Sequence, residues 1–252
     1  HVAGPDGIWR EIKTWQNWAF ITSQTGSIGL TIVDLSPLPD TVYTYYWKQG
    51  VLGSDTVNIT NCHALFVNEQ TGRIYLTGCD YKNKGVIMLD PSNSPQNPQV
   101  AGVYNNQYVH DCYERKDTLY TAEIYAGQFS VIDVSKPATP NVLAVQKTPD
   151  FFTHNCWLTD NGRYLFTTDE VQGAYITGYD LSDINDIKET DRFRTYPPVG
   201  VIPHNTYVKG NYLVTSYYAN GVIINDISDP HTIVEVGNYD TSALLNNNFN
   251  GC

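Results

Sequence analysis

Histidine is scarce in this chain, and four of its six histidines hold the same place in consecutive repeats: His63, His110, His154 and His204. Each opens a β-rich segment of the same kind, and Arg10 holds the equivalent place in the first such segment. The next position reads Glu11, Ala64, Asp111, Asn155 and Asn205. Chance does not place scarce residues this way. Imidazoles beside carboxylates and carboxamides suit three kinds of work. Buried, they hydrogen-bond to one another and lock neighbouring segments together, because buried polar groups must be paired. Converging on one point, imidazole and carboxylate bind a divalent ion such as zinc, iron or manganese, with calcium as a further candidate where oxygens dominate. Without a metal, His and Glu serve as base and acid.

The elements that carry these residues form a repeat. Its clearest part is a β run that ends in aspartate: Asp34, Asp90, Asp133, Asp180 and Asp226, at intervals of 56, 43, 47 and 46 residues. A Ser or Pro turn follows, as in Ser36-Pro37, Pro91-Ser92, Ser135, Ser182 and Ser228. Asp and Ser side chains bond to the backbone just ahead and Pro stops a strand, so the chain turns there. Upstream of each run lies a hairpin of β-branched and aromatic residues around turn residues such as Asp160-Asn-Gly162 and Lys209-Gly210. A fourth strand follows the turn, as over 98–104, 140–146 and 233–239. Four strands in about 45 residues, with no helical period, predict an all-β fold: a β-propeller of four-stranded antiparallel blades. The chain reads as one domain over 1–252, with repeat units at 8–57, 58–106, 107–149, 150–199 and 200–252.

Antiparallel pairing sets the start of each first strand beside the end of the second. The second strands end in Ser23-Gln24, Gly78-Cys79-Asp80, Glu123, Asp169-Glu170 and Tyr217-Tyr218. The metal candidates are therefore His63, His110, His154, His204, Glu123 and Asp169. Arg10, Glu11, Asp111, Asn155, Glu170, Asn205 and Tyr217 complete a predicted binding face. The other ends of the hairpins, Glu114-Arg-Lys-Asp117 and Thr159-Asp-Asn-Gly162, are ordinary solvated turns. No Ser-centred elbow or Gly-rich phosphate loop points to a sharper enzyme class.

Five cysteines are present without a C-x-x-C pair, which argues against a zinc ribbon or redox motif. Cys62 and Cys79 sit symmetrically about the Gln70-Thr71 turn and are expected to form a disulfide across the hairpin. Cys112 and Cys156 read as buried small hydrophobes, with a bridge between neighbouring blades as the alternative. A disulfide suggests an oxidising compartment, and Asn58-Ile59-Thr60 is a glycosylation sequon for a secretory host. A net charge of −11 repels phosphate backbones, so nucleic acid is not an expected partner. No run of 18 apolar residues is present, and no direct membrane insertion is expected from this segment. The 19 tyrosines fill space between blades or offer stacking platforms for sugars.

The repeat resembles the LVIVD-repeat proteins, and more closely the choice-of-anchor B family of secreted bacterial proteins. Trp9-Arg-Glu-Ile-Lys-Thr14, Tyr108-Val-His-Asp-Cys112, Thr153-His-Asn-Cys-Trp-Leu-Thr-Asp-Asn-Gly-Arg-Tyr164, Thr168-Asp-Glu170, Pro203-His-Asn205 and Val208-Lys-Gly-Asn-Tyr212 carry the resemblance. It implies a seven-bladed propeller of which this chain holds about five blades, with another blade before Trp9 and one opening near Phe249-Asn-Gly-Cys252, where Cys252 finds its context. The opening residues His1 to Asp6 read as the middle of a loop, so the chain is expected to be part of a longer protein. The resemblance implies a secreted or surface-anchored protein and defines no activity. The sequence thus favours a non-enzymatic scaffold or binding module for an extracellular protein or glycan. A metal-dependent enzyme at the His-rich face is the alternative.

Overall fold

The computed structural model describes residues 2–196, 200–241 and 249. Five four-stranded antiparallel sheets follow one another, each with its strands in chain order, and one two-stranded hairpin is inserted. The first sheet holds β1 (Arg10–Trp15), β2 (Trp18–Ser23), β3 (Leu30–Asp34) and β4 (Tyr43–Trp47). The inserted hairpin is β5 (Gln49–Leu52) with β6 (Asp55–Asn58). It accounts for the long first interval of the aspartate period. The second sheet holds β7 (Ala64–Val67), β8 (Ile74–Thr77), β9 (Val86–Asp90) and β10 (Gln99–Tyr104). The third holds β11 (Asp111–Arg115), β12 (Thr118–Glu123), β13 (Gln128–Asp133) and β14 (Asn141–Lys147). The fourth holds β15 (Thr153–Leu158), β16 (Tyr164–Asp169), β17 (Ile176–Asp180) and β18 (Lys188–Phe193). The fifth holds β19 (Thr206–Lys209), β20 (Tyr212–Ser216), β21 (Val222–Asp226) and β22 (Val234–Tyr239).

Two compact units divide the chain: His1–Leu119 with Ile132–Asn141, and Tyr120–Val131 with Val142–Cys252. The core of the first gathers Phe20, Leu30, Ile32, Leu65, Ile74 and Leu76. That of the second gathers Phe166, Ile176, Leu213, Tyr217 and Ile223. Middle strands such as β8 and β17 are buried along most of their length, whereas β14 alternates exposed and half-buried. A strand covered on both faces needs a continuous apolar run, and an outer strand needs only one apolar face.

The turn chemistry is the same in all five repeats. Asp34, Asp90, Asp133, Asp180 and Asp226 each accept the backbone N–H of the serine two residues on, at 2.7–2.9 Å. Before the third strand a glycine is required in four repeats, at Gly29, Gly85, Gly127 and Gly221, where a Cβ would meet backbone atoms at 2.1–2.6 Å. Gly29 and Gly221 have φ of +67° and +71°, and a Cβ there would meet the carbonyl of Trp47 or Tyr239 at 2.3 or 2.2 Å.

Cys62 and Cys79 form the expected disulfide. Cys112 and Cys156 are buried thiols; Cys156 donates to the Tyr120 carbonyl at 3.6 Å. Cys252 lies outside the described residues. Asn58 is exposed at the end of β6. No helix among the described residues is long and apolar enough to cross a membrane.

Candidate metal centre

The residues that open the first strands are held by two backbone devices. In the first, the residue after the histidine position reaches into the following repeat. Glu11 Oε2 accepts the N–H of Leu65 at 2.9 Å, and Asn155 Oδ1 accepts the N–H of Thr206 at 3.0 Å. In the second, a threonine opposite that position donates to the histidine carbonyl of the following repeat. Thr22, Thr77 and Thr168 pair with Glu11, Ala64 and Asn155 in register. Their hydroxyls reach the carbonyls of His63, His110 and His204 at 3.4, 2.8 and 2.5 Å. Asn205 Oδ1, at the same repeat position as Asn155, is a buried acceptor without a partner among the described residues. Part of the locking expected of the His-Asn pairs is thus carried by the carboxamide and the threonine through the backbone.

In the second unit, His154, Glu170, His204 and Tyr218 come together. His154 lies in β15, where the pairing with β16 shifts register between Thr153 and Asn155. Glu170 follows β16 directly, with its N–H on the Phe152 carbonyl at 3.0 Å. His204 precedes β19, and its N–H donates to the Ser216 carbonyl at 2.9 Å. The imidazole Nε2 of His154 stands 3.6 Å from Glu170 Oε2, and that of His204 stands 3.9 Å from Glu170 Oε1. The two imidazole rings lie 4.4 Å apart. The Tyr218 hydroxyl donates to Glu170 Oε1, and its ring lies 4.5 Å from that of His204. Burial raises the Glu170 carboxyl above the usual carboxylate range, and the Tyr218 hydrogen bond opposes the rise.

Those Nε2–oxygen separations are too long for hydrogen bonds. They suit a shared ion: ligand atoms each about 2.0–2.2 Å from one metal stand roughly 3.3–4.0 Å apart over ligand angles of about 110–130°. Two imidazoles and one carboxylate are also the donor types that a borderline divalent ion prefers.

The other sequence candidates are placed as follows. In the first unit, the rings of His63 and His110 lie 3.9 Å apart. His63 Nδ1 is 3.2 Å from Gln24 Oε1, and His110 Nδ1 is 3.1 Å from the Tyr108 hydroxyl. Burial lowers the His63 imidazole against the raising influence of Glu11. Glu123 is fully buried and accepts from Thr121, Gln128 and Ser130 at 3.0, 2.6 and 2.8 Å. Asp169 is also fully buried; it takes the Thr148 hydroxyl at 2.6 Å and the Phe152 and Asp150 N–H groups at 2.8 and 3.2 Å. Asp169 ties the segment after β14 to β16, whereas Glu123 joins β12 to β13. Asp111 accepts the N–H of Cys112 at 2.7 Å, and Arg10 is exposed at the start of β1.

Tyr217 needs correction. It was expected on the binding face, but it is fully buried in the core of the second unit. After β20 the chain enters a 3-10 turn over Tyr218–Asn220. Strand alternation stops there, and Tyr218, with φ of +43°, reaches the carboxylate instead.

Comparison with known proteins bears on the repeat and on the fold. Residues 204–241 are an LVIVD repeat. This stretch contains His204, Tyr218 and the turn that presents it. Among curated proteins, none matches the chain. Solved structures are similar in fold. A periplasmic gluconolactonase of Pseudomonas aeruginosa is 12% identical, with a TM-score of 0.70 over 90% of this chain and 70% of its own. A putative 6-phosphogluconolactonase of Bacteroides uniformis is 11% identical, with a TM-score of 0.66 over 92% of this chain and 71% of its own. The Cps50 β-propeller domain of Myceliophteria thermophila is 11% identical, with a TM-score of 0.59 over 90% of this chain and 72% of its own. At such identities the likeness concerns the fold: all-β and propeller-like, with an LVIVD repeat at its fifth sheet.

Proposed function

We propose that this chain is a metal-dependent enzyme of an extracellular or periplasmic compartment, with His154, Glu170 and His204 as ligands of one divalent transition ion. The observation that supports this reading is the pair of imidazole Nε2 atoms at 3.6 and 3.9 Å from the two oxygens of one half-buried carboxylate. An ion held there supplies Lewis acidity toward a carbonyl or a water. The chain's own residues do the rest. Asn155 and Thr168 fix the backbone around the two histidines. Burial of His154, with Glu170 half-buried beside it, limits the access of bulk water to the ligand side. The reaction class we assign is hydrolysis of an activated carbonyl, to which lactone opening belongs; the lactonase names among the structural neighbours favour it. The Cys62–Cys79 disulfide favours the oxidising compartment.

The test is turnover of a panel of lactones and aryl esters by chelator-stripped protein before and after addition of zinc, manganese or iron(II). The reading expects activity only with metal, and a loss of more than about 100-fold in His154→Ala and in His204→Ala. Equal turnover in stripped protein would exclude the metal's role, and no turnover of any carbonyl substrate would exclude the reaction class.

A scaffold or binding module for an extracellular protein or glycan is the second reading. Exposed Tyr43 and Tyr45, two residues apart on one face of the outer strand β4, favour it as aromatic surface. Retention of the chain on immobilised glycans, lost in Tyr43→Ala and Tyr45→Ala, would support it.

A further inference from the structure

We propose that the fifth sheet of one copy of this chain docks on the first sheet of a second copy, head to tail, through the same two hydrogen bonds that join neighbouring sheets within the chain. The metal centre plays no part in this.

A carboxylate or carboxamide makes the first bond, accepting the N–H two residues past the histidine position of the following sheet. Glu11 takes it from Leu65 and Asn155 from Thr206, at 2.9 and 3.0 Å. The hydroxyl opposite makes the second, donating to the carbonyl at the histidine position. Thr22 gives it to His63 and Thr168 to His204, at 3.4 and 2.5 Å. The fifth sheet carries the same pair. Ser216 stands opposite Asn205, with its N–H on the Asn205 carbonyl at 2.9 Å. Asn205 Oδ1 is a buried acceptor with no partner among the described residues. The Ser216 hydroxyl accepts the Asn205 N–H at 3.4 Å, which leaves its hydrogen to give.

The sheet around this pair is covered on one side. Middle strands β16 and β17 are buried on both faces, but in β20 and β21 buried and half-buried residues alternate. Val214 and Ile224 pair in register on the half-buried face. Their equivalents in the first sheet, Phe20 and Ile32, are fully buried.

The first sheet has the complementary face. Arg10 holds its histidine position, so the residue two further on is Ile12. Leu65, Cys112, Cys156 and Thr206 hold that place in the other sheets and are no more than 5% exposed, whereas Ile12 is 58% exposed. The fifth sheet thus offers the pair without a strand to hold, and the first sheet offers the strand without a pair. A second copy supplies each to the other. Because the two faces differ, each contact leaves one of each kind free, and association continues to further copies.

The experiment is sedimentation velocity of the full chain over a range of concentrations, for the wild type, Ile12→Lys, Val214→Lys and an equimolar mixture of the two variants. Circular dichroism checks that each variant keeps its strands; Tyr212→Lys, at an exposed position of the same face, replaces Val214→Lys if it does not. The wild type is expected to associate increasingly with concentration. Each variant alone is expected to stay monomeric. Their mixture is expected to stop at a one-to-one dimer, since each brings the intact face that the other needs. Asn205→Ala is expected to weaken wild-type association about tenfold, through the loss of one hydrogen bond. A wild type that stays monomeric into the millimolar range would overturn the proposal, which is also the outcome if a further sheet of the same polypeptide covers these faces. Association that persists in the variants, or a mixture that stays monomeric, would overturn it as well, because a different surface would then be responsible.

Discussion

Asn155 Oδ1 accepts the backbone N–H of Thr206 at 3.0 Å, while the neighbouring His154 turns its Nε2 to Glu170. Adjacent residues of one strand thus divide two tasks: the carboxamide joins one sheet to the next, and the imidazole faces the candidate centre. Substitution separates the tasks. Asn155→Ala leaves the buried Thr206 N–H without its acceptor, which costs about 1–3 kcal/mol. Urea unfolding of the metal-free protein is expected to show this loss, with cobalt stoichiometry unchanged. His154→Ala is expected to do the reverse at the centre, abolishing the ion while the sheets stay joined.

Asn225 makes a second prediction, of opposite sign. It occupies the position taken by Val33, Leu89, Ile132 and Tyr179 in the other repeats. It is fully buried, and neither side-chain amide atom has a partner among the described residues. A buried polar group without a partner destabilises by roughly 1–3 kcal/mol. Asn225→Val, similar in volume and apolar, is expected to raise the urea midpoint. A lowered midpoint would show that the amide is satisfied.

The repeat turns carry a pH dependence. At Asp180 the Arg163 guanidinium is the first cause holding the carboxyl well below the usual range, and the Ser182 N–H and hydroxyl add to it. A carboxyl whose folded pKa is depressed contributes stability above its unfolded value, near about 3.9, and loses it as pH falls toward the folded value. Arg163 is about half exposed, so solvent screening keeps the contribution small. The difference in stability between wild type and Asp180→Asn should be present at pH 7, intact at pH 5, and shrinking below about pH 4. A difference that is constant from pH 7 to pH 3 would contradict it.

Most of the fold is legible in the sequence because its signals are local. The aspartate period, the serine turn and the apolar middle strands each arise within a few residues, and every third strand ends at the expected aspartate. The β5–β6 hairpin was not anticipated, although the 56-residue interval between Asp34 and Asp90 signals extra chain. The site is legible only in part. Repetition singles out the histidines, and pairing geometry puts Glu170 near them. The choice of Tyr217 over Tyr218 fails because alternation predicts a face only while a strand continues, and β20 ends at Ser216. Glu123 and Asp169 look like ligands in sequence because their donors, such as Ser130 and Thr148, come from other segments. The threonines at 22, 77 and 168 share one register, a repeat signal that stands out poorly in sequence because threonine is common in strands.

The most direct test of the account is anomalous X-ray scattering from crystals of the full chain grown with zinc, recorded on both sides of the zinc absorption edge. The account predicts one edge-dependent peak about 2.0–2.2 Å from the Nε2 atoms of His154 and His204 and from a carboxylate oxygen of Glu170. A zinc-loaded crystal with no peak between those three side chains would contradict it.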